Sequence, residues 1–146
     1  MIYKNAREYL KSYKYLGLEI IKLKDNIREL ESALTSISGL SFDDVKVQTF
    51  CNKDKLSNSV IELVDRKEKL EKMILSKIKL KEEIQKNLNK LQNADEIKVL
   101  EFRYLYNMTA SEVANTLYCS ERWVMELSRR GLNNLEKIIG GSYVRN

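Results

Sequence analysis

The sequence predicts an all-helical protein in two parts, a long N-terminal antiparallel helical hairpin of coiled-coil type followed by a C-terminal helix-turn-helix domain. The first observation is compositional: the 146 residues include no proline and only five glycines, and 32% are charged. Because proline and glycine are the residues that most readily end a helix, this composition favours long uninterrupted helices. The second observation is a heptad-like spacing of apolar residues, and the third is a set of capping signals near residues 109 and 120.

The first helix is predicted from about Tyr3 to Ile37. Its apolar residues alternate between spacings of four and three, which is the pattern of a coiled-coil seam; they are Ile2, Ala6, Tyr9, Tyr13, Leu16, Ile20, Leu23, Ile27, Leu30, Leu34 and Ile37. At 1.5 Å per residue this helix would be roughly 50 Å long. The tyrosines near its start are interpreted as seam residues rather than as platforms for stacking on bases. The regular seam also predicts a homodimer.

Residues 38 to 55 interrupt the pattern and are predicted to form the loop at the tip of the hairpin. The second helix is predicted from about Leu56 to Leu91. Lysines occupy three of its seam positions (Lys67, Lys77 and Lys81), which favours antiparallel pairing with the first helix over a long parallel zipper. Its lysine-rich face is interpreted as a solvated surface, with contact to nucleic acid as the alternative.

An Asn-x-x-Glu cap at Asn93 to Glu96 marks the predicted domain boundary. We therefore expect the hairpin to occupy residues 1 to 92, the helix-turn-helix domain residues 93 to 141, and a loose tail residues 142 to 146. Ile97, Leu100 and Tyr104 are predicted to form the first helix of the C-terminal domain and to pack behind the helix pair that follows. Gly131 predicts a close helix contact, since glycine costs on the order of 1 kcal/mol within a helix.

Residues 109 to 127, TASEVANTLYCSERWVMEL, predict two short helices joined by a tight turn. Thr109 and Glu112 form a capping box that fixes one helix start, and Ser120 can cap the next helix. Helical spacing places a shared apolar core between the two helices, with the small Ala114 allowing close approach. The predicted core residues are Val113, Ala114, Leu117, Val124 and Leu127.

The opposite face of the second helix carries side chains that can address DNA. At 100° per residue, they share a face turned away from the core. Arginine suits guanine, glutamate the amino group of cytosine, and methionine the thymine methyl group. The predicted base-reading residues are Arg122, Met125, Glu126 and Arg129, and the predicted DNA-backbone residues are Ser120, Trp123, Arg130 and Asn133. The alternative is that the charged residues form ion pairs within the helix on a solvated surface.

Residues 94 to 139, and especially LEFRYLYNMTASEVANTLYCSERWVMELSRRGLNNL, resemble the fourth region of sigma-70 family factors, which reads the promoter's −35 element. The matching pattern is an Arg-Tyr helix, a T-x-x-E-V-A helix and an S-x-R-x-V recognition helix. The whole chain resembles small phage-encoded sigma-like regulators of late genes, of the ArpU and RinA type. Two departures concern this pattern: Tyr118 stands where the turn usually has glycine, and Glu121, Trp123 and Met125 replace positions that are often basic or polar. The target sequence is therefore expected to differ from a housekeeping −35 element.

The excess positive charge lies outside the predicted DNA-binding domain. Residues 94 to 146 contain seven basic and seven acidic residues, whereas residues 1 to 93 contain 19 basic and 14 acidic ones. Because non-specific affinity for DNA comes largely from cationic contacts to phosphate, one isolated domain should bind weakly. We expect it to act as a dimer, with help from the N-terminal arm, or when held by RNA polymerase.

The sequence gives little support to other classes of function. It has no histidine and no glycine-rich phosphate loop, and its two cysteines, Cys51 and Cys119, are far apart. We therefore expect no metal site, no cofactor and no enzymatic activity. No apolar run approaches the roughly 20 residues of a membrane span, and the N-terminus lacks the apolar core of a signal peptide, so a cytoplasmic protein is expected.

These observations together predict a sequence-specific DNA-binding transcription regulator, a phage or prophage late-gene activator that works with host RNA polymerase on a double-stranded promoter or operator. The competing hypothesis is a coiled-coil protein-interaction module that docks on polymerase or another regulator without reading DNA.

Overall fold

A computed structural model describes residues 3–38 and 58–140 of the chain. They form five α-helices: α1 (Ala6–Ser38), α2 (Asn58–Leu88), α3 (Ala94–Leu100), α4 (Ala110–Leu117) and α5 (Glu121–Ile139). One π-helical turn, Glu101–Leu105, follows α3. These described ranges contain no strand, so the prediction of an all-helical protein is confirmed there. Most of the predicted tip loop, with Cys51, and the predicted tail 142–146 lie outside the described residues.

Asparagine side chains begin two of the helices. Asn5 Oδ1 accepts from the backbone N–H of Glu8 at 3.0 Å, so α1 starts at Ala6 rather than at Tyr3. Asn93 Oδ1 accepts from the N–H groups of Asp95 at 2.9 Å and Glu96 at 3.3 Å, which is the cap that the sequence predicts. Each bond satisfies an N–H group that the first turn of a helix leaves without a partner.

The described residues fall into two compact units, and each is described by itself. The first comprises residues 18–38 and 58–78, where α1 and α2 pack along two apolar clusters. Leu34 packs against Val60 and Val64, and Ile20 and Leu23 pack against Ile74. Because higher residue numbers on α1 meet lower numbers on α2, the two segments run antiparallel.

Lysines at seam positions of this unit are compensated by carboxylates. The side chain of Lys67 is only 12% exposed, and its Nζ lies 3.6 Å from Glu31 on α1 and 3.4 Å from Glu71 on α2. Lys77 pairs with Glu19 across the two helices. A half-buried ammonium keeps its charge at low cost only beside such a partner. The seam lysines Lys67 and Lys77 therefore pair α2 with α1.

The second compact unit comprises residues 3–17 and 79–140. Its main core joins the start of α1 and the end of α2 to α3 and α5. The core's buried residues are Ala6, Tyr9, Leu10, Leu16, Ile84, Leu88, Leu91, Leu100, Tyr104, Leu105, Leu135 and Ile139. The hydroxyl group of Tyr9 accepts from Asn87 Nδ2 at 2.7 Å inside this core. Burial raises the pKa of the Tyr9 hydroxyl, which therefore stays neutral as the core requires.

The residues expected to pack behind the α4 and α5 pair contact α5 only in its C-terminal half. Ile97, Leu100 and Tyr104 belong to the main core, which Leu135 and Ile139 of α5 join, while Val99 packs into the core between α4 and α5. Phe102, half-buried, joins Val99 there. The reason is that the chain from α3 through the π-helical turn is covered on two sides, so successive residues enter different cores. Helical spacing alone could not assign which side faces which neighbour.

Gly131 lies in the close helix contact that the sequence predicts. A Cβ atom built at this position would lie 2.9 Å from Leu100 Cδ1 and 3.3 Å from Glu96 Cβ, and both neighbours are buried. Gly17, in α1 of the same compact unit, differs: its added Cβ would meet only Lys81 Nζ at 3.6 Å. Glycine at 131 is thus required by packing, whereas glycine at 17 is not.

We expect Gly131→Ala and Gly17→Ala to change stability in opposite directions. Both gain about 1 kcal/mol in helix propensity. Overpacking against Leu100 costs Gly131→Ala about 1 to 3 kcal/mol, so this variant should lose about 1 kcal/mol overall. Gly17→Ala should keep the gain. Urea unfolding of the two variants measures both changes, and equal stabilisation of the two would contradict the close contact.

Candidate nucleic-acid interface

Two hydroxyl side chains fix the starts of α4 and α5. Thr109 Oγ1 accepts from the backbone N–H of Glu112 at 3.1 Å, and Ser120 Oγ accepts from the backbone N–H of Trp123 at 3.1 Å. The Glu112 carboxylate accepts from the Thr109 hydroxyl at 3.2 Å, where an ideal capping box would have it accept from the Thr109 amide. Both helices therefore begin where local sequence chemistry directs them.

A three-residue connection, Tyr118 to Ser120, joins the two helices. Tyr118 adopts the left-handed conformation, with φ 55° and ψ 47°, and its side chain is 95% exposed. This is the position at which the sequence pattern usually has glycine, and the bulky residue keeps the glycine geometry rather than remodelling the turn. A non-glycine residue in this conformation costs roughly 1 to 2 kcal/mol.

Tyr118→Gly is expected to stabilise the protein by about 1 kcal/mol, because glycine adopts the left-handed conformation without strain at the end of a helix. Tyr118→Ala removes the same exposed ring but keeps the Cβ atom, so it should give no such gain. Thermal unfolding of the two variants checks this difference. Equal effects of glycine and alanine would show that the ring, not the backbone, matters at this position.

The predicted motif core lies between the two helices. Val113, Ala114, Val124 and Leu127 are buried in one cluster, with Leu117 half-buried beside them. Val99 closes the cluster from α3, and Cys119 packs against it from the turn. Because one side of α5 is buried in this core, the opposite side of that helix is exposed on the surface.

That surface, here called the α5 face, carries the residues that the sequence predicts to contact bases. Met125 is 48% exposed, and Arg122, Arg129 and Asn133 are exposed as well. With Glu126 they line an open groove of about 890 Å³. The groove is also lined by the predicted DNA-backbone residues Ser120, Trp123 and Arg130, so the structure brings all eight predicted site residues together.

Glu126 forms ion pairs with two arginines of its own helix. Its Oε1 atom lies 2.6 Å from Arg129 Nη2 and 3.0 Å from Arg130 Nε, and its Oε2 atom accepts from Arg129 Nε at 3.2 Å. The hydrogen bonds from Arg129 and Arg130 lower the pKa of Glu126 to about 2. Within the described ranges no ion pair involves Arg122. Arg129 and Arg130 thus form the ion pairs within the helix that one interpretation predicts. Arg122 keeps its guanidinium available for a base, as the other interpretation requires.

Trp123 and Arg130 contact one another at the edge of the α5 face. The Arg130 guanidinium carbon lies 5.3 Å from the centre of the Trp123 ring, and the ring is 42% exposed. Such cation–π contacts restrict an arginine that is otherwise mobile. Arg130 is therefore held between the Glu126 carboxylate and the indole ring.

Three polar groove residues lie outside the local pattern of α4 and α5. Arg103, in the π-helical turn, donates from Nη1 to the buried Ser128 hydroxyl of α5 at 3.1 Å and lines the groove. Arg7 and Asn5, at the start of α1, line it as well. The Arg-Tyr pair in the sigma-like pattern is a signal that could have pointed to Arg103. No sequence signal connects Arg7 to α5, because more than 110 residues separate them.

The fold redistributes the charge that the sequence assigns to its two halves. In the described residues, the compact unit with the groove has 14 basic and ten acidic residues, because the start of α1 and the end of α2 join it. The other unit has eight of each. The positive excess therefore lies in the unit that carries the α5 face.

The described residues contain no group of three or more histidine, cysteine, aspartate or glutamate side chains that could hold a metal ion. Among the helices of the same ranges, none combines the length and the apolar character that crossing a bilayer requires.

A comparison with curated proteins and a comparison with solved structures found no match. A protein family matches residues 34–136, which are more than two thirds of the chain and include the end of α1, all of α2, α3 and α4, and α5 as far as Glu136. The chain belongs to this family, which is described as protein of unknown function DUF1492.

Proposed function

We propose that the protein is a sequence-specific DNA-binding transcription regulator in which α4 and α5 act as a helix-turn-helix and α5 enters the major groove. One observation carries the proposal: two capped helices share a core across a three-residue turn, and the exposed side of the second helix concentrates arginine, glutamate, methionine and asparagine. These side chains match the hydrogen-bonding groups and the methyl group that base edges present in the major groove. The division into a coiled-coil hairpin and a domain from residue 93 to 141 belongs to the same proposal.

Each residue has a role in this proposal. Arg122, Met125, Glu126 and Arg129 contact base edges, and Ser120, Trp123, Arg130 and Asn133 contact the DNA backbone. Ser120 illustrates the second group: its oxygen accepts from the Trp123 amide, and its hydroxyl proton remains able to donate to a phosphate. The N-terminal end of α5 faces the same phosphate, which its unpaired N–H groups favour.

The regulator is proposed to activate late genes of a phage or prophage in the cytoplasm, together with host RNA polymerase. The family is found in phage-type proteins, which supports this setting. The resemblance to sigma region four supports contact with polymerase. A homodimer is part of the proposal. The α1 seam residues Leu16, Ile20 and Leu34 are already buried within the chain, so the contact between two copies must use another surface. Sedimentation as a monomer at tens of micromolar protein would contradict the proposed homodimer.

The deciding experiment selects bound duplexes from a random DNA pool, with and without host RNA polymerase, at two salt concentrations. A recurring motif with the protein alone supports a self-sufficient regulator, and a palindromic motif adds a dimer. Enrichment only with polymerase supports a sigma-like co-activator. No enrichment in either case would contradict DNA reading.

The second candidate is an interaction module that docks on polymerase without reading DNA. The ion pairs of Glu126 with Arg129 and Arg130 favour it, because they occupy two of the arginines that DNA would need. The two candidates differ in their response to Arg122→Ala with Arg129→Ala. Unchanged promoter output in this double variant, with loss of output in variants of the α1 seam, would favour the interaction module.

A further inference from the structure

Four basic residues lie close together around the start of α1, with Lys4 just before the helix and the other three within it. Lys4, Arg7, Lys11 and Lys14 are spaced by three, four and three residues, and all four are exposed. The opposite face of the same segment is buried in the main core through Tyr9 and Leu16. At 100° per residue, Arg7, Lys11 and Lys14 lie within about 60° of one another on α1, and with Lys4 just before the helix they form an exposed stripe.

No carboxylate neutralises this stripe in the part of the chain that the structure describes, since none of its four residues takes part in an ion pair there. The nearest acidic residue in sequence is Glu8, and its carboxylate accepts from the backbone N–H of Lys4 at 3.3 Å, while its own amide donates to Asn5. Both hydrogen bonds of Glu8 thus stabilise the start of α1. The seam lysines Lys67 and Lys77 differ, because each is paired with a glutamate.

The stripe meets the groove beside the α5 face at Arg7. Arg7 lines that groove together with Arg103, Arg122 and Arg129, within one compact unit. From Arg7 to Lys14 the helix rises roughly 10 Å, at 1.5 Å per residue. One strand of B-DNA presents a phosphate every 3.4 Å of axis, so this length corresponds to about three successive phosphates.

We infer that Lys4, Arg7, Lys11 and Lys14 form a phosphate-binding track that continues from the α5 face onto the backbone of the same DNA duplex. The inference rests on the proposed function and adds a second DNA-contacting element, far from the helix-turn-helix in sequence. The track supplies an excess of positive charge that residues 94 to 146, with equal numbers of basic and acidic residues, lack. It carries no base specificity, because phosphates are the same at every position.

The test compares two triple variants of the full-length protein, each removing three positive charges. The track variant is Arg7→Gln with Lys11→Gln and Lys14→Gln. The matched control is Lys22→Gln with Lys24→Gln and Lys72→Gln, three exposed lysines of the other compact unit. Glutamine preserves helix propensity, so both should fold, and circular dichroism checks that they do. The measurement is fluorescence anisotropy of a random-sequence duplex over a range of salt concentrations.

The track variant should reduce the slope of log K against log salt by roughly 2.7, at about 0.9 per lost phosphate contact, and weaken binding at least tenfold. Arg7→Gln alone should reduce the slope by about 0.9. The control should leave the slope nearly unchanged. The motif selected by the track variant should be that of the wild type.

Equal slopes for the wild type and the track variant would overturn the track, as would equal reductions in the track variant and the control. With either result, the proposed function would still be supported if the wild-type protein selects a recurring motif from the random DNA pool. If the wild type binds neither the random duplex nor any selected sequence, with or without polymerase, the proposed function fails and the track fails with it.

Discussion

Replacing Arg122 with alanine should weaken binding to the selected DNA site by roughly 5- to 150-fold, the equivalent of one bidentate contact between arginine and guanine worth about 1 to 3 kcal/mol. Affinity for random DNA should change little by comparison. The structural reason is that Arg122 lies in the first turn of α5, lines the groove and has no ion pair in the described ranges, so its guanidinium is available. Competition between the selected and random duplexes measures the ratio directly.

Arg122→Lys separates charge from geometry. Lysine keeps the positive charge but cannot form the planar two-bond contact, so this variant should lose most of the discrimination while retaining the salt dependence of the wild type. Lys98→Ala is the second control, because Lys98 is exposed on α3 and does not line the groove. If Arg122→Lys discriminates as well as the wild type, Arg122 contacts a phosphate and not a base.

The elements that the sequence predicts well are those whose causes lie within a few residues. The caps at Thr109, Ser120 and Asn93 depend on side chains that bond to amides two or three positions away. The predicted core residues of α4 and α5 lie within 19 consecutive residues, so helical spacing is enough to place Val113 and Val124 on facing sides. The close contact at Gly131 also follows from a local cost, the low helix propensity of glycine.

The elements that the sequence could not place depend on contacts between distant parts of the chain. Arg7 joins the groove only because α1 packs its start into the main core, and that packing also moves the positive charge to the unit with the α5 face. The π-helical turn at Glu101–Leu105 carries Arg103, whose guanidinium donates to Ser128, and no recognised local signal predicts this turn. Helical periodicity assigns residues to a face, but it does not identify the neighbour of that face.

Glu126 is the residue for which the sequence left two interpretations, and the structure suggests how both can hold. Its carboxylate contacts Arg129 and Arg130, while Met125 and Arg122 beside it remain exposed. A carboxylate that is paired with two arginines reduces their contacts with phosphates at random positions. A base edge or a correctly placed phosphate can still replace the carboxylate as the partner of these arginines. Glu126 would then limit non-specific binding, which is a form of specificity by repulsion.

Glu126→Gln should therefore raise affinity for random DNA on the order of tenfold, because Arg129 and Arg130 become free to contact phosphate. The slope of log K against log salt should become steeper by about 1.8, which corresponds to two added phosphate contacts. The ratio of specific to random binding should fall. Glu121→Gln is the matched control: Glu121 is exposed in the first turn of the same helix and forms no ion pair in the described part of the chain, so its loss removes the same charge without freeing an arginine.

The pH dependence of this effect provides an independent check. Hydrogen bonds from Arg129 and Arg130 hold the pKa of Glu126 at about 2. A carboxylate whose folded pKa is lowered keeps its interactions above its ordinary pKa and loses them only as pH falls through the lowered value. The affinity ratio between Glu126→Gln and the wild type should then stay constant from pH 8 to 5. A ratio that falls toward one as the pH approaches 5 would mean that Glu126 titrates near its ordinary pKa. Protonation of Glu126 in the wild type would then free the two arginines as the substitution does.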